Sequence, residues 1–337
     1  MPPTPPPPNI ALFQLIAGKW IAQAISVVAR FKVADHLATG PKTAPELAAL
    51  TGTHPDHLYR VLRALAAVGV LDEQPDGRFG LTPVGEFLRS GVPGSMRAVA
   101  TYCCDPWSWR PWGDLAETVR TGAPAFDRMF GQPVFDYLTQ HPDEFATFNE
   151  GMTGFSAAES AAAVKVYDFS PYGTIADVGG GHGLLLTTIL QAAPNSRGIV
   201  FDLAGVVAGA VPTIAAAGLA DRCTVQGGSF FETAPTADLH AMKHIIHDWN
   251  DEKATAILTS CRKAVRAGGK LVLIEMVIPA HGGDPAAKLL DLEMMVLCDG
   301  KERTEAGYAA LLAGAGYRLT RVVPTESPAC IIEAEPV

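Results

Sequence analysis

The stretch Thr174-Ile-Ala-Asp-Val-Gly-Gly-Gly-His-Gly183 constrains this chain more than any other. An apolar, β-branched run passes into glycines at 179, 180, 181 and 183, and an apolar helical pattern, Leu184–Ala193, follows at once. Glycine here lets the chain turn sharply and lets backbone approach a ligand closely at a helix N-terminus. Such a strand–loop–helix unit finds its stability inside a sheet covered by helices. The spacing also narrows the ligand. It is acid-x-G-x-G-x-G, with Asp177 two residues ahead of the glycines, and not the G-x-G-x-x-G of dinucleotide sites. That form offers no obvious seat for a pyrophosphate and suits a nucleoside with an amino-acid tail. Asp202, at the end of the next strand, lies 19 residues beyond Gly183, where an acidic side chain accepts hydrogen bonds from a ribose.

The rest of the C-terminal half repeats the alternation. Strands are expected at Thr174–Val178, Gly198–Leu203, Cys223–Gln226, Asp238–Ile245, Lys270–Ile278, Tyr317–Val323 and Ala329–Ala334. Helices are expected at Leu184–Ala193, about Val206–Ala217, Asp251–Ala267, Ala286–Leu297 and Thr304–Ala315. This predicts an α/β fold, a Rossmann-like sheet of seven strands whose last two, joined without a helix, form an antiparallel pair.

The N-terminal part reads differently. Residues 1–9 are proline-rich and predict a disordered tail; residues 10–99 predict a helical winged-helix domain. Ile10–Leu37 is helical in pattern and apolar on more than one face, so it needs cover from its own domain or from a partner subunit. A helix at Ala44–Leu50, a turn, a helix from Pro55 to about Val68 and strands at Val70–Glu73 and Arg78–Leu81 give the winged-helix order. Thr53 with Asp56 reads as a capping box for the second helix. From Arg30 to Arg89 there are seven basic and seven acidic residues, so the basic face that a DNA reader needs is missing. A dimerising role fits better, as a homodimer with intertwined N-terminal domains. Residues 100–172 predict a helical, aromatic-rich linker that shapes a substrate pocket, and residues 173–337 the cofactor-binding domain.

The whole chain carries Lys+Arg 26 against Asp+Glu 35, a net charge of −9, which also disfavours nucleic acid as a partner. Six cysteines without a CxxC pair suggest reduced thiols in the cytoplasm. MPPTPPPPNI lacks the basic and apolar segments of a signal peptide, and no run of about 18 apolar residues predicts a membrane-spanning helix.

A second group of chemically capable residues lies in Met242-Lys-His-Ile-Ile-His-Asp-Trp-Asn-Asp-Glu252, at the end of the fourth strand of the sheet. Open α/β sheets bind ligands outside the carboxyl ends of their strands, which turns His247 toward the cleft, and histidine can remove a proton near neutral pH. A metal held by His244, His247, Asp248 and Asp251 is a possible reading but not the expected one, because His-x-x-His at a strand-to-loop transition does not place both rings on one face. Glu275 interrupts an otherwise apolar strand, and a carboxylate there needs a partner. Glu302, in GKERT, falls on the same side of the sheet. A histidine held by two carboxylates is fixed in orientation and favoured as imidazolium.

With ADVGGGHG, FDL, MKHIIHDWND, LVLIEMVIP and GKERT in place, nearly the whole chain resembles the S-adenosylmethionine-dependent small-molecule O-methyltransferases of the caffeic-acid type, in their bacterial natural-product branch. The resemblance implies a class I methyltransferase sheet behind an N-terminal winged-helix dimerisation domain. It implies S-adenosylmethionine as cofactor, held by the Gly179, Gly181 and Gly183 loop, Asp202, Lys243 and Ser156, with no metal. It implies His247 as the general base flanked by Glu275 and Glu302, and Phe148, Met152 and Met294 as substrate contacts. An aromatic, secondary-metabolite hydroxyl is the implied methyl acceptor. Two positions depart from the family. Ser229 replaces an adenine-binding aspartate beside Phe230, which can still stack on the base. Phe155 replaces a substrate-contacting histidine and points to a more apolar, polycyclic acceptor. A hydroxylase- or decarboxylase-like reaction on the same fold and a ligand-responsive winged-helix regulator are the rival readings. The complete His/Glu/Glu set weighs against the first, the balanced charge against the second.

Overall fold

A computed structural model describes residues 6–337 apart from Asp284 and the side chain of Phe155. Residues 1–5 of the expected tail lie outside the described residues, and a helix already begins at Pro8. The chain divides into two compact units, one of residues 1–109 and 143–154, the other of residues 110–142 and 155–337.

In the first unit, α1 (Pro8–Ile16) and α2 (Gly18–Arg30) precede the short α3 (Val33–Leu37). Strand β1 (Lys42–Thr43), α4 (Ala44–Thr51) and α5 (Pro55–Ala67) lead to β2 (Leu71–Glu73) and β3 (Arg78–Leu81), paired in the order β1-β3-β2. The capping box belongs to α4 and not to α5. Thr43 accepts from the Glu46 amide while the Glu46 carboxylate takes the Thr43 amide. Pro55 fixes the first turn of α5, so His54 becomes its cap, and Thr53 spends its hydroxyl on Thr51. Val28, Val33, Leu47, Leu58, Leu62, Leu65 and Phe79 close the core.

The expectation that no segment could span a membrane needs correction. Taken together, Pro8–Arg30 is 23 residues with a mean hydropathy of 1.5 in its best window, long and apolar enough by length and composition. The helix is, however, interrupted at Ala17, and α2 is amphipathic, turning Ser26, Val28 and Ala29 into the unit's own core. Leu12, Phe13, Leu15, Ile16 and Trp20 remain exposed.

In the second unit seven strands form one sheet: β4 (Thr174–Val178), β5 (Arg197–Asp202), β6 (Cys223–Gly227), β7 (Ala237–Lys243), β8 (Val265–Met276), β9 (Tyr317–Pro324) and β10 (Ala329–Pro336). Their order is β6-β5-β4-β7-β8-β10-β9, parallel except that β10 pairs antiparallel with both β8 and β9. Alternate residues feed two cores: Ile175, Leu239, Val272 and Ile274 enter one, Ala176, Met242, Leu271 and Leu273 the other. That is why these strands read as unbroken apolar runs. Strand β7 stops at Lys243, two residues earlier than expected, because His244 takes a left-handed backbone, φ 52°. Strand β8 begins at Val265, where the sequence still reads as helix.

Candidate active site

The strand order reverses between β4 and β7, so the loops leaving their carboxyl ends diverge and open a crevice. The loop after β4 carries Gly179, Gly181 and Gly183 at φ 74°, 54° and 76°, a conformation that other residues rarely adopt. A side chain at 179 would bring its Cβ to 2.4 Å from Ile245 Cδ1, whereas at 181 it would meet nothing within 4 Å. The loop is thus pressed against the segment after β7 at one glycine and open at another. The Gly181 amide donates to Asp202 Oδ2 at 2.9 Å and the Leu203 amide to Oδ1 at 2.7 Å. Buried Asp177, ahead of the loop, has its carboxyl pushed up to about 7 by burial. Phe230, Phe231 and Trp249 meet edge to face at 4.9–6.0 Å. Ser229 accepts from the Phe231 amide, and Lys243 Nζ lies 3.3 Å from Glu159 Oε2. Ser156 is buried, 3.5 Å from Ser160. An open glycine loop, an acid on the second strand, an aromatic wall and a lysine fit a nucleoside with a charged amino-acid tail.

Beside this loop, β7 and β8 run parallel with Lys243 opposite Ile274, which sets His244 next to Glu275. The His244 amide donates to the Ile274 carbonyl, and the Ile245 and Ile246 amides both donate to Glu275 Oε1, at 3.1 and 2.8 Å. Glu275 is buried, and its Oε2 lies 3.7 Å from Nδ1 of both His244 and His247. A short 3₁₀ turn, Ile246–Asp248, carries His247. The left-handed residue and this turn correct the sequence expectation about His-x-x-His. The two rings lie 4.9 Å apart at 33°, on one side of the chain. Two imidazole nitrogens and a Glu275 oxygen fall within 4.8 Å of one another, a donor set that could hold a metal ion.

Glu302 arrives from a different direction. Val277 and Arg303 form an isolated parallel bridge, and the Lys301 amide donates to the His247 carbonyl. Gly300 makes this approach possible, since a Cβ there would stand 2.1 Å from that same carbonyl oxygen. The Glu302 amide is held by Asp291 Oδ1 at 2.8 Å. Its carboxylate lies 2.6 Å from His247 Nδ1, the shortest contact at the ring. Burial alone would hold the imidazole below its usual range, but Glu275, Asp248 and the bond to Glu302 together push it up to about 10. Asp248 Oδ1 is 3.4 Å from Nε2, the nitrogen left free of Glu302, and burial pushes its carboxyl up to about 7.

Of the residues expected at the site, His247, Glu275, Glu302, Lys243, Ser156, Asp202, Ser229, Phe230, Met294 and the three glycines all belong to the second unit. Phe148 and Met152 belong to the first, where Phe148 packs against Tyr102 and Trp107. The side chain of Phe155 lies outside the described residues. Three partners went unread in the sequence. Glu159 binds His244 Nε2 through both oxygens at 3.0 Å and is held down to about 2, because His244 and Lys243 outweigh its burial. Arg303, 4% exposed, donates to the Ile246 and Trp249 carbonyls and to Asp251, pinning the His247 turn. Asp291 completes the set, while Asp248, a candidate metal ligand in the sequence, lies instead beside His247 Nε2. Only Arg303, next to Glu302 in GKERT, carried a sequence signal.

The O-methyltransferase domain family matches residues 112–318, and the O-methyltransferase dimerisation domain matches residues 13–91. A phenazine O-methyltransferase of Lysobacter antibioticus is 42% identical over 333 residues, 98% of this chain and 97% of its own length. The solved structure of a mitomycin 7-O-methyltransferase superposes with a TM-score of 0.91 at 34% identity, covering 98% of each chain. An O-methyltransferase of neocarzinostatin biosynthesis, solved with S-adenosylmethionine and 2-hydroxy-5-methyl naphthoic acid, superposes with a TM-score of 0.81 at 34% identity, covering 94% of this chain and 96% of its own.

Proposed function

The chain belongs to the S-adenosylmethionine-dependent O-methyltransferases, and from that membership we propose that it methylates a phenolic hydroxyl of an aromatic natural product with His247 as general base. S-adenosylmethionine supplies the methyl group in electrophilic form. The open glycine at 181, Asp202, Lys243, Ser156, Ser229 and Phe230 are its binding residues in this reading.

One observation carries the role of His247: Glu302 holds Nδ1 at 2.6 Å, which fixes the tautomer and leaves Nε2 to the substrate. Glu275 does not compete for the ring directly, since Oε1 is committed to two backbone amides and only Oε2 faces the imidazole, at 3.7 Å. A phenol has a pKa of about 10, and His247 is pushed to about 10, so the two groups are matched. In the productive complex they hold one proton between them. Nε2 takes it and leaves the phenolic oxygen anionic, the form in which it is nucleophilic. The carboxylates of Glu302 and Glu275 offset the positive charge that then rests on the His247 imidazolium. The proton transfer in this scheme uses no metal, since the base is the Nε2 that the Glu302 bond to Nδ1 leaves free.

Phe148, Met152 and Met294 are proposed substrate contacts. The dimerisation domain forms a homodimer, for which the exposed Leu12, Phe13, Leu15 and Trp20 provide apolar cover. Residues 10–99 are its expected extent and residues 173–337 that of the cofactor domain. A cytoplasmic site of action fits a biosynthetic enzyme whose six cysteines are free thiols. His247→Ala is the test. S-adenosylhomocysteine should bind as before, while formation of a product heavier by one methylene falls by at least about 10²-fold. An unaltered rate rules out the role.

A further inference from the structure

Two buried atoms beside the base have no hydrogen bond among the described residues: His244 Nδ1 and Glu275 Oε2. The other ends of both side chains are committed. His244 Nε2 lies 3.0 Å from each oxygen of Glu159, and Glu275 Oε1 takes the Ile245 and Ile246 amides. With its proton on the Glu159 side, a neutral His244 ring presents Nδ1 as a lone pair. The two uncommitted atoms are 3.7 Å apart, and Glu275 Oε2 is also 3.7 Å from His247 Nδ1. On the carboxylate that grips His247, Glu302 Oε2 is a further buried oxygen without a hydrogen bond. Buried acceptors turned toward one another cost free energy unless a cation joins them.

The arrangement has the parts of a metal site. One nitrogen of each imidazole and one Glu275 oxygen lie within 4.8 Å of one another. Two ligands about 2.1 Å from a tetrahedral ion stand about 3.4 Å apart, so the 3.7 Å pairs need close by only about 0.3 Å. A carboxylate on the far nitrogen is the support that metal-binding histidines use, and Glu159 gives it to His244. The left-handed backbone at His244, φ 52°, uncommon for a residue with a Cβ, turns both rings to one side. The His244 side chain is 16% exposed where that of Glu275 is fully covered, so an ion has a way in past His244. Two imidazoles and a carboxylate favour zinc and its neighbours over magnesium or calcium, which prefer all-oxygen sites.

We propose that His244, His247 and Glu275 form an inhibitory site for a divalent transition metal, zinc above all, whose occupation takes the base out of use. With an ion on Nδ1, the neutral His247 ring carries its proton on Nε2, the nitrogen that must accept from the phenol. The imidazolium form reaches that state by losing its Nδ1 proton to solvent. Binding stands on the donor set alone, whereas the inhibition rests on His247 being the base proposed above.

The test titrates the full-length enzyme, stripped of metal with EDTA and dialysed, with zinc chloride by calorimetry, and follows S-adenosylhomocysteine release in parallel. One zinc should bind per chain, and turnover should fall by about 10²-fold or more at saturation. Added EDTA should restore it, and magnesium chloride should have neither effect. Glu159→Gln keeps an acceptor for His244 Nε2 but not the charge, and should weaken zinc binding about 10–100-fold. His244→Asn suits the left-handed backbone but removes a ligand, and should weaken binding further. Each variant, set against its own zinc-free rate, should resist zinc in proportion. No zinc uptake overturns the site, as does uptake that His244→Asn, or Glu159→Gln should the first not fold, leaves unweakened. Uptake that the variants weaken, with wild-type turnover unaffected, overturns the inhibition together with the role of His247 as base.

Discussion

Replacing Glu302 by glutamine separates two things the carboxylate does for His247. The amide oxygen of glutamine can still accept from Nδ1, so the ring keeps its orientation, but the charge 2.6 Å away is gone. In the native site His247 titrates near about 10, which leaves roughly one molecule in 10³ with a neutral imidazole at pH 7. A hydrogen bond to a charged group contributes about 1.5–3 kcal/mol, or about 1–2 pKa units, so the variant should titrate near about 8–9. Glu275 and Asp248 remain and hold it above the ordinary histidine range. Measured as S-adenosylhomocysteine release over pH 6–10 with an unsubstituted phenol, the acid limb of kcat/KM should shift downward by about 1–2 units. The plateau should fall because the base is weaker, so the loss is larger at pH 10 than at pH 7. Stability moves with the same group. A histidine whose folded pKa is raised stabilises the fold fully below about 6.5 and loses that contribution as pH rises through about 10. The variant should therefore melt below the wild type at pH 7, and the gap should close above about pH 10. An acid limb that stays in place while the rate drops by one factor at every pH would refute the electrostatic part of this account and leave Glu302 as a positioning group.

Three further outcomes follow from the geometry. Gly300→Ala puts a methyl group 2.1 Å from the His247 carbonyl and should displace Glu302, lowering kcat much more than cofactor affinity, at a stability cost of about 1–3 kcal/mol measurable by denaturant titration. Normal turnover would mean that the 299–303 loop adapts freely. Asp202→Asn removes the charged acceptor at the end of β5 and should weaken S-adenosylhomocysteine binding about tenfold or more by calorimetry; an unchanged affinity would take Asp202 out of the site. Trp20→Glu places a charge on the exposed apolar stretch of α2, and light scattering should show a monomer where the wild type is a dimer.

What could be read from the sequence was what backbone geometry and burial dictate locally. The glycines at 179, 181 and 183 announce left-handed turns, and the seven strands announce themselves because both faces of the sheet are covered. Glu275 was legible because a carboxylate in LVLIEMVI has to find a partner. The side of the chain on which His244 lies was not, since it depends on one left-handed residue and one 3₁₀ turn that no periodicity reports. Glu159 was not legible either: it meets His244 across 85 residues. The capping box was assigned to Thr53 because the local pattern fits two places, and Pro55 decides between them. The 100–172 stretch reads as one region, yet its residues divide between the two units.

The hydrogen bond from the Glu302 amide to Asp291 joins the carboxylate that grips the base to the helix Pro285–Leu297, which carries Met294. In evolutionary terms, the proposed substrate contact Met294 and the proposed base would then share a hinge. A lineage that reshapes this helix for a new acceptor also disturbs the alignment of its proton-accepting group. Useful changes of specificity should then accumulate first on the far side of the acceptor, and laboratory selections that begin at residues 290–294 should yield slow generalists until a second change near Gly300 restores the grip.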